Sequence, residues 1–392
     1  MNKFGSGRAA IWRLTVAQAL VGAHSTIIFA TGAVLGATMA PDDSLATLPI
    51  SVFVAGMAAS TLPSGLVAER YGRRAVFLGG AALGILSGLI GAYAIMVHSF
   101  ALFCLATLLG GAFSAVGLSF RFAAAECVPD AVKARALATV LAGGVASGIL
   151  GGILVSATMG VVPNHAFAGS YVAATACAFL AGAALLGITT PAPLRSSLSA
   201  DRPLKQILSQ PLFIKAVIAG AITYLLMNFL MTSAPLAMRM EGMHQHHANS
   251  VVQWHVVAMY APSFIVGGLI TRFGARAVTT AGLIITGLSA AIGLMGETST
   301  HFLVCLVVLG VGWNFGFAGA SAMILDTHRP EERGRVQATN DFIVFVTVMI
   351  GSFLSGGVLA TYGWYVVCWL AFPPIAIAIG ALVASRKMPR LA

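Results

Sequence analysis

Polar and apolar positions along this chain alternate on the scale of whole helices. Apolar runs fall at approximately 11–36, 45–67, 75–96, 99–125, 137–160, 166–188, 212–239, 249–270, 278–296, 302–325, 338–361 and 363–385, separated by charges and turn formers. A helix needs about 20 apolar residues to cross a bilayer, and each run is close to that length. The runs are too long and too continuously apolar for the alternating pattern of a membrane β-barrel. The pattern predicts an all-α membrane protein of twelve transmembrane helices.

The longest polar stretch, about 189–211, carries Pro191, Pro193, Arg195, Ser196, Ser197, Ser199, Asp201, Arg202 and Lys205. It divides the spans into six plus six. The expected organisation is an N-terminal bundle at 1–188, a cytoplasmic linker at 189–211 and a C-terminal bundle at 212–392. A repeat supports the division. Gly65, Glu69, Arg70, Gly72, Arg73 and Arg74 follow span 2; Gly267, Arg272, Gly274 and Arg276 occupy the matching place 202 residues on. Lys133, Arg135, Ala138 and Thr139 likewise match Arg333, Arg335, Ala338 and Thr339. Two kindred six-helix halves with a cavity between them suit alternating access.

Composition agrees with a lipid-facing surface. Only 9% of residues are charged, against about 25% in an average soluble protein, and the mean hydropathy is +0.91. The formal charge of +10 does not point to nucleic acid, because the basic residues sit in small clusters between spans and form no long tract. With twelve spans, all but Arg239 of the 22 Lys and Arg fall on the side that carries both termini, which makes that side cytoplasmic by the positive-inside rule. A bacterial-type inner membrane is the expected location. The five cysteines are scattered, without a C-x-x-C pair, and are expected as packing residues. No nucleophile elbow, H-E-x-x-H, Walker loop or paired-carboxylate arrangement is present, so no enzyme and no permanent cofactor is expected. A membrane receptor is the alternative of another class, with no soluble signalling domain to support it.

The segment Gly65-Leu66-Val67-Ala68-Glu69-Arg70-Tyr71-Gly72-Arg73-Arg74 resembles the loop 2–3 signature of the major facilitator superfamily, with Glu69 where that family usually has Asp. The resemblance extends over essentially the whole chain and implies the major facilitator fold. It also implies a conformational gating role for Gly65, Glu69, Arg70, Gly72, Arg73 and Arg74, and for Arg272 and Arg276 of the second copy, where Thr271 replaces the acid.

Span 7 holds Met227 and Met231, and span 8 holds His255 and Met259, each pair spaced i, i+4 on one helix face. The spans run antiparallel from a shared extracytoplasmic loop, so the four residues fall at similar depth. Three thioethers and an imidazole suit Cu(I). The loop adds Met238, Met240, Met243, His244, His246 and His247, a candidate capture cluster at the mouth. The M-x-x-x-M and H-x-x-x-M motifs resemble those of CcoA-type copper importers, a branch of the same superfamily, which implies Met227, Met231, His255 and Met259 as ligands for copper as a transported substrate. The text around them, Met231-Thr232-Ser233-Ala234-Pro235, Gln253-Trp254-His255 and Met259-Tyr260-Ala261-Pro262-Ser263-Phe264, also resembles bacterial riboflavin importers of that branch.

Import of copper by a monomer is therefore the first expectation, and import of riboflavin or another small organic solute the alternative. A flavin needs aromatic faces and a few polar partners; Trp254, Tyr260, Trp313, Asn314 and Phe315 are candidates, with His24 of span 1. No carboxylate is expected near mid-membrane: Asp341 and Glu126 lie toward the cytoplasmic ends of spans 11 and 4, with Arg121 a candidate partner of Glu126.

Overall fold

A computed structural model describes residues 3–42, 45–188 and 202–384. Within these residues the chain is helical, with no strand. The first half contains α1 (Lys3–Met39), α2 (Leu48–Tyr71), α3 (Arg73–Met96), α4 (Phe100–Leu118), α5 (Phe120–Glu126), α6 (Lys133–Thr158) and α7 (Ala168–Leu186). The second contains α8 (Leu204–Leu208), α9 (Pro211–Met240), α10 (Gln245–Tyr260), α11 (Ser263–Phe273), α12 (Ala275–Gly293), α13 (Ser299–Leu325), α14 (Arg333–Trp369) and α15 (Phe372–Val383). Residues 189–201 of the expected linker lie outside the described residues.

Eleven continuous stretches are long and apolar enough to cross a membrane. The last, Arg333–Val383, is 51 residues long. At a rise of about 1.5 Å per residue, it would span about twice the bilayer core of roughly 30 Å. It reverses at Gly363, where φ is 76°, and so supplies passes 11 and 12. Two other passes are each made of two helices, α4 with α5 and α10 with α11. The second of these breaks at Ala261-Pro262, because Pro262 has no N–H to continue the helix.

The repeated motif forms the same turn twice. Gly72 (φ 82°) joins α2 to α3, and Gly274 (φ 86°) joins α11 to α12. A side chain would strain either position. The halves also meet through the repeat. A Cβ on Gly65 would lie 2.5 Å from the Ala338 Cβ, and one on Gly267 would lie 3.0 Å from the Ala138 Cβ. Each glycine therefore sets a close helix crossing, α2 with α14 and α11 with α6, against the alanine of the other repeated segment.

Charges close the basic ends of the helices. Arg73 pairs with Glu126, and its Nη2 also donates to Gln337 Oε1 of the other half at 2.5 Å. Arg333 lies 3.6 Å from Glu126. The expected partnership of Arg121 with Glu126 does not form. Arg121 instead reaches across to the second half, donating to Asp341 Oδ1 at 2.7 Å and to Ser321 Oγ at 3.1 Å. The i, i+5 spacing turns Arg121 away from Glu126 and toward the interface. At the end of the linker, Arg202 pairs with Glu332 at 2.6 Å, and Arg335 donates to the Arg202 carbonyl. The Arg202 hydrogen bonds hold the Glu332 carboxyl at about 2, well below the usual carboxylate range.

Candidate functional site: an uncharged cavity between the halves

A cavity lies between the halves, bounded by α1, α2, α4 and α6 on one side and by α9 and α10 on the other. Its walls carry three kinds of surface. Phe29, Tyr224 and Tyr260 provide rings; Met57, Met227, Met231 and Met259 provide thioethers; Gln18, Ser25, Thr26, Ser114, Ser147 and Asn228 provide polar groups. Among the described residues that line it, none is charged and none is histidine.

The aromatic wall extends behind the surface. Tyr224 packs edge-on against Trp313, Phe317 and Phe345 with centroids 5.3–5.7 Å away, and Tyr260 meets Trp313 at 5.5 Å. Trp313 stacks on Phe317 at 5.1 Å. Toward the basic face, the Arg121 guanidinium lies between the rings of Phe122 and Phe317, at 4.2 and 4.6 Å. Arg121 Nη1 also donates to the carbonyl of Leu118, which lines the cavity, so the Arg121–Asp341 pair sits behind the cavity wall without lining it. On the far side of that pair, a second space lies among α2, α4 and α14, lined in part by Arg73, Ser119, Gln337 and Asp341.

Three of the four expected residues share the cavity wall. Met227, Met231 and Met259 face the cavity, but His255 does not line it. Its ring is fully buried against α13, where Nδ1 donates to the Leu306 carbonyl at 2.6 Å. A step of four residues advances a helix by about 40° beyond one full turn, enough to put His255 on the packing face and Met259 on the cavity. Among the described residues, no group of three or more His, Cys, Asp or Glu could hold a metal ion. The candidate capture residues differ in their surroundings. Met238 is buried and Met243 packs against the second half's core; Met240 is exposed. The His244 and His247 rings lie 6.5 Å apart. His246 belongs to α10, with its side chain outside the described set.

Of the organic-site candidates, only Tyr260 lines the cavity. His24 is buried inside the first half, donating from Nε2 to the Gly84 carbonyl at 3.3 Å and lying edge-on to Phe113. Trp254 is 57% exposed on the outer surface. Trp313 stands behind the two tyrosines. Asn314 braces the break in span 8, donating to the Met259 carbonyl at 2.7 Å and to Ser263 Oγ at 2.6 Å. Phe315 packs with the α6–α11 contact. Gln18, Tyr224 and Asn228 were not among the expected residues, although Gln18 and Asn228 are conspicuous as amides inside apolar spans.

Around the gate, Gly65 and Arg73 contact the other half as described, and Glu69 packs against Gly334 at the start of α14. Arg70 and Arg272 lie over the rings of Tyr71 and Phe273, a matched pair 202 residues apart. Arg74 and Arg276 are exposed and form no ion pair among the described residues.

The sequence matches the Major Facilitator Superfamily profile over residues 14–252 and 217–391. It is 42% identical to the riboflavin transporter RfnT of Brucella anthropi over 391 residues, which is 99% of this chain and 98% of that protein. The uncharacterized MFS-type transporter YddS of Bacillus subtilis is 30% identical over 84% of this chain and 80% of its own length. Among solved structures, the E. coli fucose:proton symporter superposes with a TM-score of 0.73 at 16% identity, covering 97% of this chain and 100% of that one. The human organic anion transporter MFSD10 gives 0.77 at 13% identity, covering 96% and 99%. At these identities the two structures speak to the fold alone.

Proposed function

The chain belongs to the major facilitator superfamily and is a multi-pass secondary transporter, and within that family we propose that it imports riboflavin across a bacterial plasma membrane. The observation that carries this reading is the chemistry of the central cavity. Its ring, thioether, hydroxyl and amide surfaces fit a flat, uncharged solute with a polar edge and a hydroxylated chain. A charged solute would lose its hydration there without an opposite charge to replace it, which costs several kcal/mol. The 42% identity to a riboflavin transporter over nearly the whole of both chains supports the same choice. Copper import, the first expectation, is not supported: His255 does not line the cavity that the three thioethers share, its Nδ1 being bonded to the Leu306 carbonyl, and the relative named for its substrate is a flavin transporter.

In this reading the basic face is cytoplasmic. The solute enters from the opposite side while the Gly65–Ala338 and Gly267–Ala138 contacts and the Arg73, Arg121, Glu126 and Asp341 charges hold the basic face shut. Rocking of the halves then parts these contacts and opens the cavity inward. One chain encloses the whole cavity, which supports a monomeric working unit.

The test is growth of a riboflavin auxotroph without an importer of its own. Expression of this chain should permit growth at low micromolar riboflavin, and Tyr224→Leu with Tyr260→Leu should remove that growth at equal membrane levels. Failure of the wild-type chain to support growth, despite normal insertion, would reject the reading.

A further inference from the structure

Two side chains in the central cavity are left with unmet hydrogen-bonding capacity. Gln18 on α1 is 3% exposed and Asn228 on α9 is 2% exposed. The Oε1 of Gln18 and the Nδ2 of Asn228 have no partner among the described residues, and both residues line the cavity. Buried polar atoms in folded proteins are almost always satisfied, so an orphan at a cavity wall marks a place for a ligand atom.

Several other polar groups in the cavity are already committed as donors. Ser25 donates to the Val21 carbonyl, Thr26 to Gly22 and Ser147 to Gly144, each one turn back on its own helix. Such internal bonds hold a hydroxyl close to its helix and leave only its lone pairs for a ligand. The two amides therefore offer a free acceptor from the first half and a free donor from the second.

We infer that Gln18 and Asn228 form an amide clamp that reads an imide edge of the solute, with Gln18 Oε1 accepting from the ring N–H and Asn228 Nδ2 donating to the adjacent ring carbonyl. This rests on the riboflavin reading and deepens it. The flavin ring carries one such edge, an N3–H between two carbonyls. The complement is neutral on both sides, in keeping with walls that hold no charge. Because one amide comes from each half, the clamp links the halves only when a solute with that edge is bound. The ring faces of Tyr224 and Tyr260 hold the rest of the ring system, whereas the amides fix which edge enters and discriminate among flat solutes of similar size.

The experiment compares uptake of riboflavin and of N3-methylriboflavin, in which the imide proton is replaced by methyl, in cells expressing the wild-type chain, Gln18→Met or Asn228→Leu. Membrane levels are measured in parallel. A buried hydrogen bond left unmade costs enough to lower uptake by about tenfold or more. Wild type should therefore prefer riboflavin over the methylated flavin by about tenfold or more. Gln18→Met should bring that ratio close to one, while Asn228→Leu should raise the KM for both flavins and keep the ratio.

Equal uptake of the two flavins by wild type, or an unchanged ratio in Gln18→Met, would overturn the clamp and leave riboflavin import standing. No wild-type uptake of riboflavin would overturn both. If Gln18→Met fails to reach the membrane, the wild-type ratio decides, supporting the clamp at tenfold and overturning it at one.

Discussion

Asp341→Asn tests how the basic face is held shut. Asp341 Oδ1 lies 2.7 Å from Arg121 Nη2, with the two side chains 8% and 0% exposed, and the pair joins one half to the other. The substitution leaves the guanidinium with Ser321, the Leu118 carbonyl and two aromatic rings, but without the carboxylate. Removing one member of a buried ion pair costs about 3–5 kcal/mol. That cost falls on the conformation closed at the basic face, because opening it admits water to Arg121. Even about 3 kcal/mol would move the ratio of the two conformations by roughly 150-fold. The assay is labelling of Ser119→Cys, which lies in the space beneath the pair, by a membrane-impermeant maleimide reaching the basic face. The background should lack Cys104, Cys127, Cys177, Cys305 and Cys368. Labelling should be at least about tenfold faster in Asp341→Asn and should return toward wild type in Arg121→Met with Asp341→Leu, which replaces the pair by apolar groups. Labelling as slow in Asp341→Asn as in wild type would refute the assignment of this pair as a closing contact.

Three further outcomes are expected. Flavin mononucleotide should not compete for riboflavin uptake at tenfold excess, because the cavity offers its phosphate no cation; competition equal to riboflavin's would contradict the neutral-solute reading. Gly144→Ala should reduce uptake at least about tenfold at normal membrane levels, since its Cβ would fall 2.2 Å from the Tyr260 ring, and overpacking of this kind costs about 1–3 kcal/mol; unimpaired transport would show that Tyr260 can move without consequence. Glu332 titrates near 2, below its usual value of 4.5, so its pairing with Arg202 is fully present above about pH 4.5 and is lost as pH falls through about 2. Glu332→Gln should therefore lower thermal stability in detergent by up to about 3 kcal/mol at pH 7, and the gap to wild type should close toward pH 2. A gap that does not change with pH would contradict this.

The spans were legible because crossing a bilayer imposes a length and an apolarity that few other segments share. The turns at Gly72 and Gly274 were legible because the motif recurs with its glycine where φ is positive. What the spacing could not fix was rotation about each helix. His255 and Met259 share a face in outline, yet one bonds to Leu306 on α13 and the other faces the cavity. Arg121 likewise chose Asp341, 220 positions away, over Glu126. Gln18 and Asn228 were visible as amides in apolar runs, but a polar residue in a span can turn to any of its neighbours. Only the assembled halves bring the unpartnered Gln18 Oε1 and Asn228 Nδ2 to the walls of one cavity.

The most direct measurement is solute counterflow with the purified protein in liposomes preloaded with unlabelled riboflavin. Labelled riboflavin at micromolar concentration should accumulate transiently, saturate, and fail to accumulate when Tyr224 and Tyr260 are both leucine. Accumulation of Cu(I) by the same liposomes with no counterflow of riboflavin would contradict the account.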